Sequence, residues 1–272
     1  MKYYIPLILS FLCMNLFSQS FIPHSIHQEE SDYYRKNWKN QYATKIQNSK
    51  YRIQNYVPHE SYQLNKTVFG YHPYWMTNTY FNYQWDLLSD LCYFSYEVDP
   101  ASGDPVTTHN WLTANAVDSA LANGTRAHLC VTLFSSHSIF FSDPDAQQNL
   151  IDNLIWYIQE REAHGVNLDF EAVPYSLIDD YQNFIMDFSD QFHAAMPEGL
   201  VSIAMPAVDW SGEFDVALLS DYIDLFMIMG YDYYWNGSAE AGPVSPLYSL
   251  ADNYDYNLSR TISYYQSKGM PL

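Results

Sequence analysis

Gly165-Val166-Asn167-Leu168-Asp169-Phe170-Glu171 is the stretch on which the reading of this chain turns. Side chains alternate faces along a strand, so Asn167, Asp169 and Glu171 point one way and Val166, Leu168 and Phe170 the other. Helical patterns flank it on both sides. Upstream, Leu150, Ile151, Leu154, Ile155 and Ile158 share one helical face, behind an Asp143-Pro144 start signal. Downstream, Leu177, Tyr181, Phe184, Ile185, Phe188 and Phe192 form a second stripe that stops at Pro197 and Gly199. A strand between two such helices belongs in the middle of a sheet, its apolar face on the helices. Asn167, Asp169 and Glu171 then turn into the protein interior. Carboxylates there are costly unless paired or functional, and close pairs drive their pKa values apart. An edge strand with a solvated polar face is the plainer alternative, and the flanking helices count against it.

The same alternation extends along the chain. Short apolar runs at Val68–Tyr71, Leu91–Tyr96, Ala127–Phe134, Val201–Pro206 and Tyr222–Tyr231 join the one above as strand candidates, and a last helix spans Leu258–Lys268. Strict alternation predicts a parallel sheet of the α/β class. A (β/α)8 TIM barrel needs eight such units and about 250 residues. The chain reaches Gly269-Met270-Pro271-Leu272 where a seventh strand is expected, so the expectation is a barrel that is C-terminally incomplete, with about six of eight units. An open doubly wound sheet is the rival, but no glycine-rich phosphate loop follows the first strand.

Composition narrows the partners. Residues 67–272 hold four Lys/Arg against 27 Asp/Glu, a net of −23, whereas residues 21–66 hold seven against four, a net of +3. An acidic body repels nucleic acid, anionic lipid and sulfated glycans, and a neutral ligand suits it. With 26 Tyr and seven Trp, sugar rings would find aromatic faces to stack on, although aromatics also fill cores. There is no HExxH, no Cys/His cluster with ligand spacing and no Gly-x-Ser-x-Gly elbow, so neither metal nor cofactor is expected.

At the N-terminus, Lys2, an apolar run from Ile5 to Phe17 and the exit Ser18-Gln19-Ser20 read as a signal peptide over residues 1–20. The run is too short for a membrane span. The protein is thus expected to be secreted, with residues 21–66 as a polar linker or N-terminal extension holding a marginal helix near Tyr33–Ile46. The catalytic barrel would occupy residues 67–272 as a monomer. Cys92 and Cys130 lie in apolar runs, as buried free thiols or a single bridge.

His164-Gly165-Val166-Asn167-Leu168-Asp169-Phe170-Glu171 resembles the DxxDxDxE signature of glycoside hydrolase family 18, which includes chitinases, some endo-N-acetylglucosaminidases and related lectins. His164 and Asn167 replace its first two aspartates. Met229-Gly230-Tyr231-Asp232 resembles the family's MxYD motif. Gly70-Tyr71-His72-Pro73-Tyr74-Trp75 resembles its first-strand exit, and Ala204-Met205-Pro206-Ala207 its fifth. The SxGG motif is not evident, since the third strand reads Val131-Thr132-Leu133-Phe134.

The resemblance implies a glycosidase acting on β-1,4-linked N-acetylglucosamine, in chitin, peptidoglycan or an N-glycan core. Glu171 would be the acid/base, Asp169 would orient the 2-acetamido group, and Tyr231 would bond it from the other side. Asn167, Asp232, Met229, Tyr71 and Trp75 would contact substrate, with Tyr74, Tyr233, Tyr234 and Trp235 as further stacking candidates. A lectin on the same fold, or an inactive fragment, are the rival readings. His164 is expected below the site as a neutral histidine.

Overall fold

The computed structural model describes residues 25–37, 64–210, 214–235, 237–249 and 256–271. The expected signal peptide and most of the polar extension lie outside the described residues. Six parallel strands are present: β1 (Phe69–Pro73), β2 (Asp90–Val98), β4 (Arg126–Leu133), β5 (Gly165–Phe170), β6 (Leu200–Met205) and β7 (Leu225–Ile228). A short β3 (Pro105–Thr107) folds back antiparallel on the end of β2. Each expected strand is found within a few residues of its predicted place, except that β7 is much shorter than the apolar run containing it.

Strand order settles the architecture. The parallel strands pair in chain order, β1-β2-β4-β5-β6-β7, with no reversal. A doubly wound sheet reverses its order to put helices on both faces; a barrel wall does not. Here the helices α2 (Asn115–Ala122), α3 (Pro144–Glu160) and α4 (Ile178–Ala195) pack on one face. The molecule is a partial (β/α)8 barrel. Among the described residues β1 and β7 are its edges, and the residues of β7 are all half-buried.

The outer core lies between strands and helices. Leu150, Ile151, Leu154 and Ile158 of α3 and Tyr181, Phe184, Ile185, Phe188 and Phe192 of α4 meet Val166, Leu168 and Phe170 of β5 there. Asp143 caps α3, its carboxylate accepting from the amides of Asp145 (3.0 Å) and Ala146 (3.3 Å), with Pro144 in the first turn. Such a cap contributes about 1 kcal/mol. The Phe170 ring lies within 10° of parallel to Tyr181 and Phe184, at 5.4 and 5.8 Å. Each aromatic pair adds roughly 0.5–1.5 kcal/mol beyond its burial. This stack fixes the residue between Asp169 and Glu171, and so fixes the direction in which both carboxylates point.

The inner core is smaller and more polar. Trp75, Cys92, Phe94 and Cys130 fill it with Tyr71 and Phe69 beside them, and both cysteines are buried free thiols. One further helix, α1 (Ile26–Asn37), begins seven residues before the expected marginal helix, and α5 (Leu258–Ser267) closes the described chain. No described helix is long and apolar enough to cross a membrane.

Candidate active site

Parallel strands of a barrel deliver their C-terminal ends to one rim, where loops supply the chemistry. Asn167 and Asp169 on β5 are fully buried and face the interior, and Glu171, one residue beyond the strand, is 8% exposed. Asn167 is held from two sides. Its Oδ1 accepts from the Tyr71 hydroxyl at 2.9 Å, and its Nδ2 donates to Ser202 Oγ at 2.9 Å. An amide satisfies one acceptor and one donor demand here; a carboxylate would meet only the first. Asp169 is less satisfied. The Cys130 thiol lies 3.9 Å from its Oδ2, a weak contact, and its Oδ1 has no hydrogen-bond partner among the described residues.

Tyr231 approaches from the loop after β7, where the Met229 amide donates to the Met205 carbonyl at 2.8 Å. Between Tyr231 and the carboxylates sits a ring from the far end of the sequence. His27 of α1 places Nδ1 2.7 Å from Asp169 Oδ2 and 2.8 Å from Glu171 Oε1, and Nε2 2.6 Å from the Tyr231 hydroxyl. Ser25 also hydrogen-bonds Glu171.

The electrostatics follow from this packing. Burial raises the Glu171 pKa, the neighbouring Asp169 charge raises it further, and His27 only partly offsets both. Burial opposes charge on His27, but Asp169 and Glu171 together outweigh it and hold the ring's pKa well above the ordinary value. Burial also pushes the Tyr231 and Tyr71 phenols up, so both remain protonated donors. His27, Asp169 and Glu171 bring three possible ligand atoms within 4.8 Å of one another. The 2.7 Å separation from Asp169 is that of a charge-assisted hydrogen bond, and Glu171 Oε1 lies 2.8 Å from the same nitrogen.

The outlying residues are distributed as follows. Met229 and Asp232 are half-buried beside Tyr231, Asp232 with a left-handed φ of 56°. Trp75 is buried, stacked under Tyr34 of α1 at 4.7 Å and 13°. Tyr74 stacks on His109, Tyr233 bonds Thr261, and Trp235 is exposed next to the half-buried Tyr234. His164 lies at the opposite end of β5, accepting from the Ala127 amide, its pKa lowered by burial and the nearby positive charges. Sequence reasoning missed His27. It lies 142 residues from Asp169 and 204 from Tyr231, and no local pattern marks it.

The model for glycosyl hydrolases family 18 matches residues 67–272, most of the chain. The chain belongs to that family. Among solved structures, it resembles catalytic domain 2 of the Ostrinia furnacalis Group II chitinase (18% identity, TM-score 0.65), covering 75% of this chain and 61% of that one. It also resembles the Trichuris suis chitinase TsES1 (19% identity, TM-score 0.67), covering 76% and 63%. Both are similarities of fold. In sequence, the uncharacterized glycosylase YvbX of Bacillus subtilis (strain 168) is 30% identical over 96 residues, 34% of this chain and 28% of YvbX. This family 18 chain spans under a third of the curated relatives it matches.

Proposed function

We propose that the protein is a secreted glycosidase that cleaves β-1,4-linked N-acetylglucosamine polymers by a substrate-assisted, retaining route. The observation that carries this reading is the meeting of Asp169, Glu171 and Tyr231 around one ring-sized notch at the C-terminal end of the strands. Glu171, whose raised pKa favours the protonated form, gives its proton to the glycosidic oxygen and later takes one from water. The substrate's own acetamido oxygen attacks the anomeric carbon, so no second carboxylate is needed as nucleophile. Asp169 orients that acetamido group and stabilises the positive charge it gains, and the Tyr231 hydroxyl holds it from the opposite side.

Around this centre, Asn167 and Tyr71 brace the floor below Asp169, while Met229, Asp232 and Trp75 contact the sugar. The substrate is neutral, in keeping with the acidic body, and neither metal nor cofactor takes part. A chitinase of the same family from Cycas revoluta, 16% identical, was solved in complex with (GlcNAc)4. That ligand supplies the first substrate to try. Chitotetraose incubated with the wild-type chain should yield shorter oligomers in the β-anomeric form, read by proton NMR, and Glu171→Gln should slow this by a factor on the order of 10² to 10⁴ while binding persists. Binding by the wild type without any cleavage would make the protein a lectin.

A further inference from the structure

α1 does not pack on the outer core. It lies across the mouth of the site, and its contacts form one continuous footprint. Ser25 and His27 engage Glu171, Asp169 and Tyr231. Ser31 hydrogen-bonds Tyr74, and Tyr34 covers the face of Trp75. At the far end, Arg35 donates to both oxygens of Glu97 at 2.7 and 2.8 Å. We propose that Ser25–Asn37 is a reversible internal occupant of the catalytic cleft, holding it closed until substrate or a change of conditions displaces the segment. This rests on reading the cleft as a glycan site.

Four physical points support the assignment. The contacts are mainly hydrogen bonds and ion pairs around a single aromatic stack, which suits release better than an apolar core seam would. A helix of 12 residues is marginal in water on its own, so α1 holds its shape only while docked. A segment tethered to its own site is presented at an effective concentration on the order of millimolar. Finally, the segment imitates a sugar. Tyr34 lies flat on an aromatic face, and His27 sets a five-membered ring between two carboxylates and a phenol. When protonated, that ring has the size and charge of the cation formed once an acetamido oxygen closes on the anomeric carbon.

Docking also responds to pH. The groups facing His27 are Asp169 of β5, Glu171 just beyond it, Tyr231 from the loop after β7 and, behind Asp169, Cys130 of β4. Undocked, His27 titrates near its ordinary value of about 6.5, and docked it titrates higher. The closed form is therefore favoured below about pH 6.5 and loses that support as pH rises through the docked value.

The test uses the full chain and four variants, His27→Ala, Tyr34→Ala, Arg35→Ala and Asp169→Ala. It combines hydrogen exchange of amides 26–37 with calorimetric titration of chitotetraose, and protection of β4 and β5 amides reports an intact barrel. His27→Ala should bind the sugar about tenfold or more tightly, because the open form no longer has to be selected from a minor population. All four variants should lose protection in residues 26–37, and saturating sugar should strip it from the wild type. Sugar binding to the wild type with residues 26–37 still protected would overturn the proposal. So would unchanged protection in both His27→Ala and Arg35→Ala, whose side chains belong to α1 and not to the barrel. If no form of the chain binds chitotetraose, the glycan reading fails, and the exchange data still decide whether the cleft holds α1.

Discussion

The two ends of the barrel treat buried carboxylates in opposite ways. At the N-terminal end, Asp90 is fully buried and fully partnered. It accepts from Arg126 Nε and Nη2 at 2.7 and 2.9 Å, from His128 Nε2 at 2.7 Å and from Ser89 Oγ at 2.7 Å. Burial alone would raise its pKa, but the hydrogen bonds from His128, Arg126 and Ser89 outweigh it and hold the carboxyl well below the usual range. At the C-terminal end, Glu171 is raised, and Asp169 keeps one oxygen without a hydrogen-bond partner among the described residues. Satisfied charge locks a structure, whereas under-satisfied charge is available to a ligand. The first end suits stability, and the second is where the proposed chemistry would take place.

The comparison is sharpened most by removing one carboxylate from each end. Glu171→Gln should cost a factor on the order of 10² to 10⁴ in chitotetraose turnover, the usual worth of a positioned general acid, with little change in melting temperature. Asp90→Ala should do the reverse. It leaves His128 and Arg126 without their shared acceptor, a loss of about 3 kcal/mol, read as a lower urea midpoint. An Asp90 variant of wild-type stability would break the contrast.

The sign of the pH dependence follows from the same cluster. Asp90 has a lowered native pKa, so its contribution is full above its unfolded value of about 3.9 and fades as pH falls through the native one. Wild-type stability should therefore drop below about pH 4, and the Asp90→Ala chain should lack that component of the drop.

A smaller effect at the stable end comes from Gly165. A Cβ there would clash with His128 Nδ1 and the Leu200 carbonyl. Gly165→Ala should destabilise by about 2 kcal/mol through overpacking. Smallest of all is Asn167→Asp at the reactive end. It removes the donor to Ser202 and adds a carboxylate beside Asp169, so the pH–rate profile should move by about one unit with activity retained. An unchanged profile would show that the floor does not tune the acid.

Much of this was legible in the sequence. The alternation Asn167, Asp169, Glu171 against Val166, Leu168, Phe170 fixes which groups enter the interior once a strand forms there, and period-2 geometry is local. The stripes of α3 and α4 and the Asp143-Pro144 start are local too, which is why the helices fall where expected. β7 was misjudged in length because Tyr222–Tyr231 is apolar throughout, while pairing with β6 involves only Leu225–Ile228. Apolar content cannot tell a paired residue from one in the loop beyond it.

His27 illustrates the remainder. Its neighbours Ile26 and Gln28 carry no pattern that marks a site residue, and its three partners come from β5, from just beyond its end and from the loop after β7. The sequence by itself determined the parallel α/β class, the family motif and the alternation that turns Asn167, Asp169 and Glu171 inward, because each rests on local pattern. Only the tertiary structure decided that Arg126 and His128 hydrogen-bond Asp90, that Tyr71 and Ser202 hold Asn167, and that α1 lies across the cleft. Those facts depend on which distant segments share a few cubic ångströms of space, and that is set by packing rather than by local order.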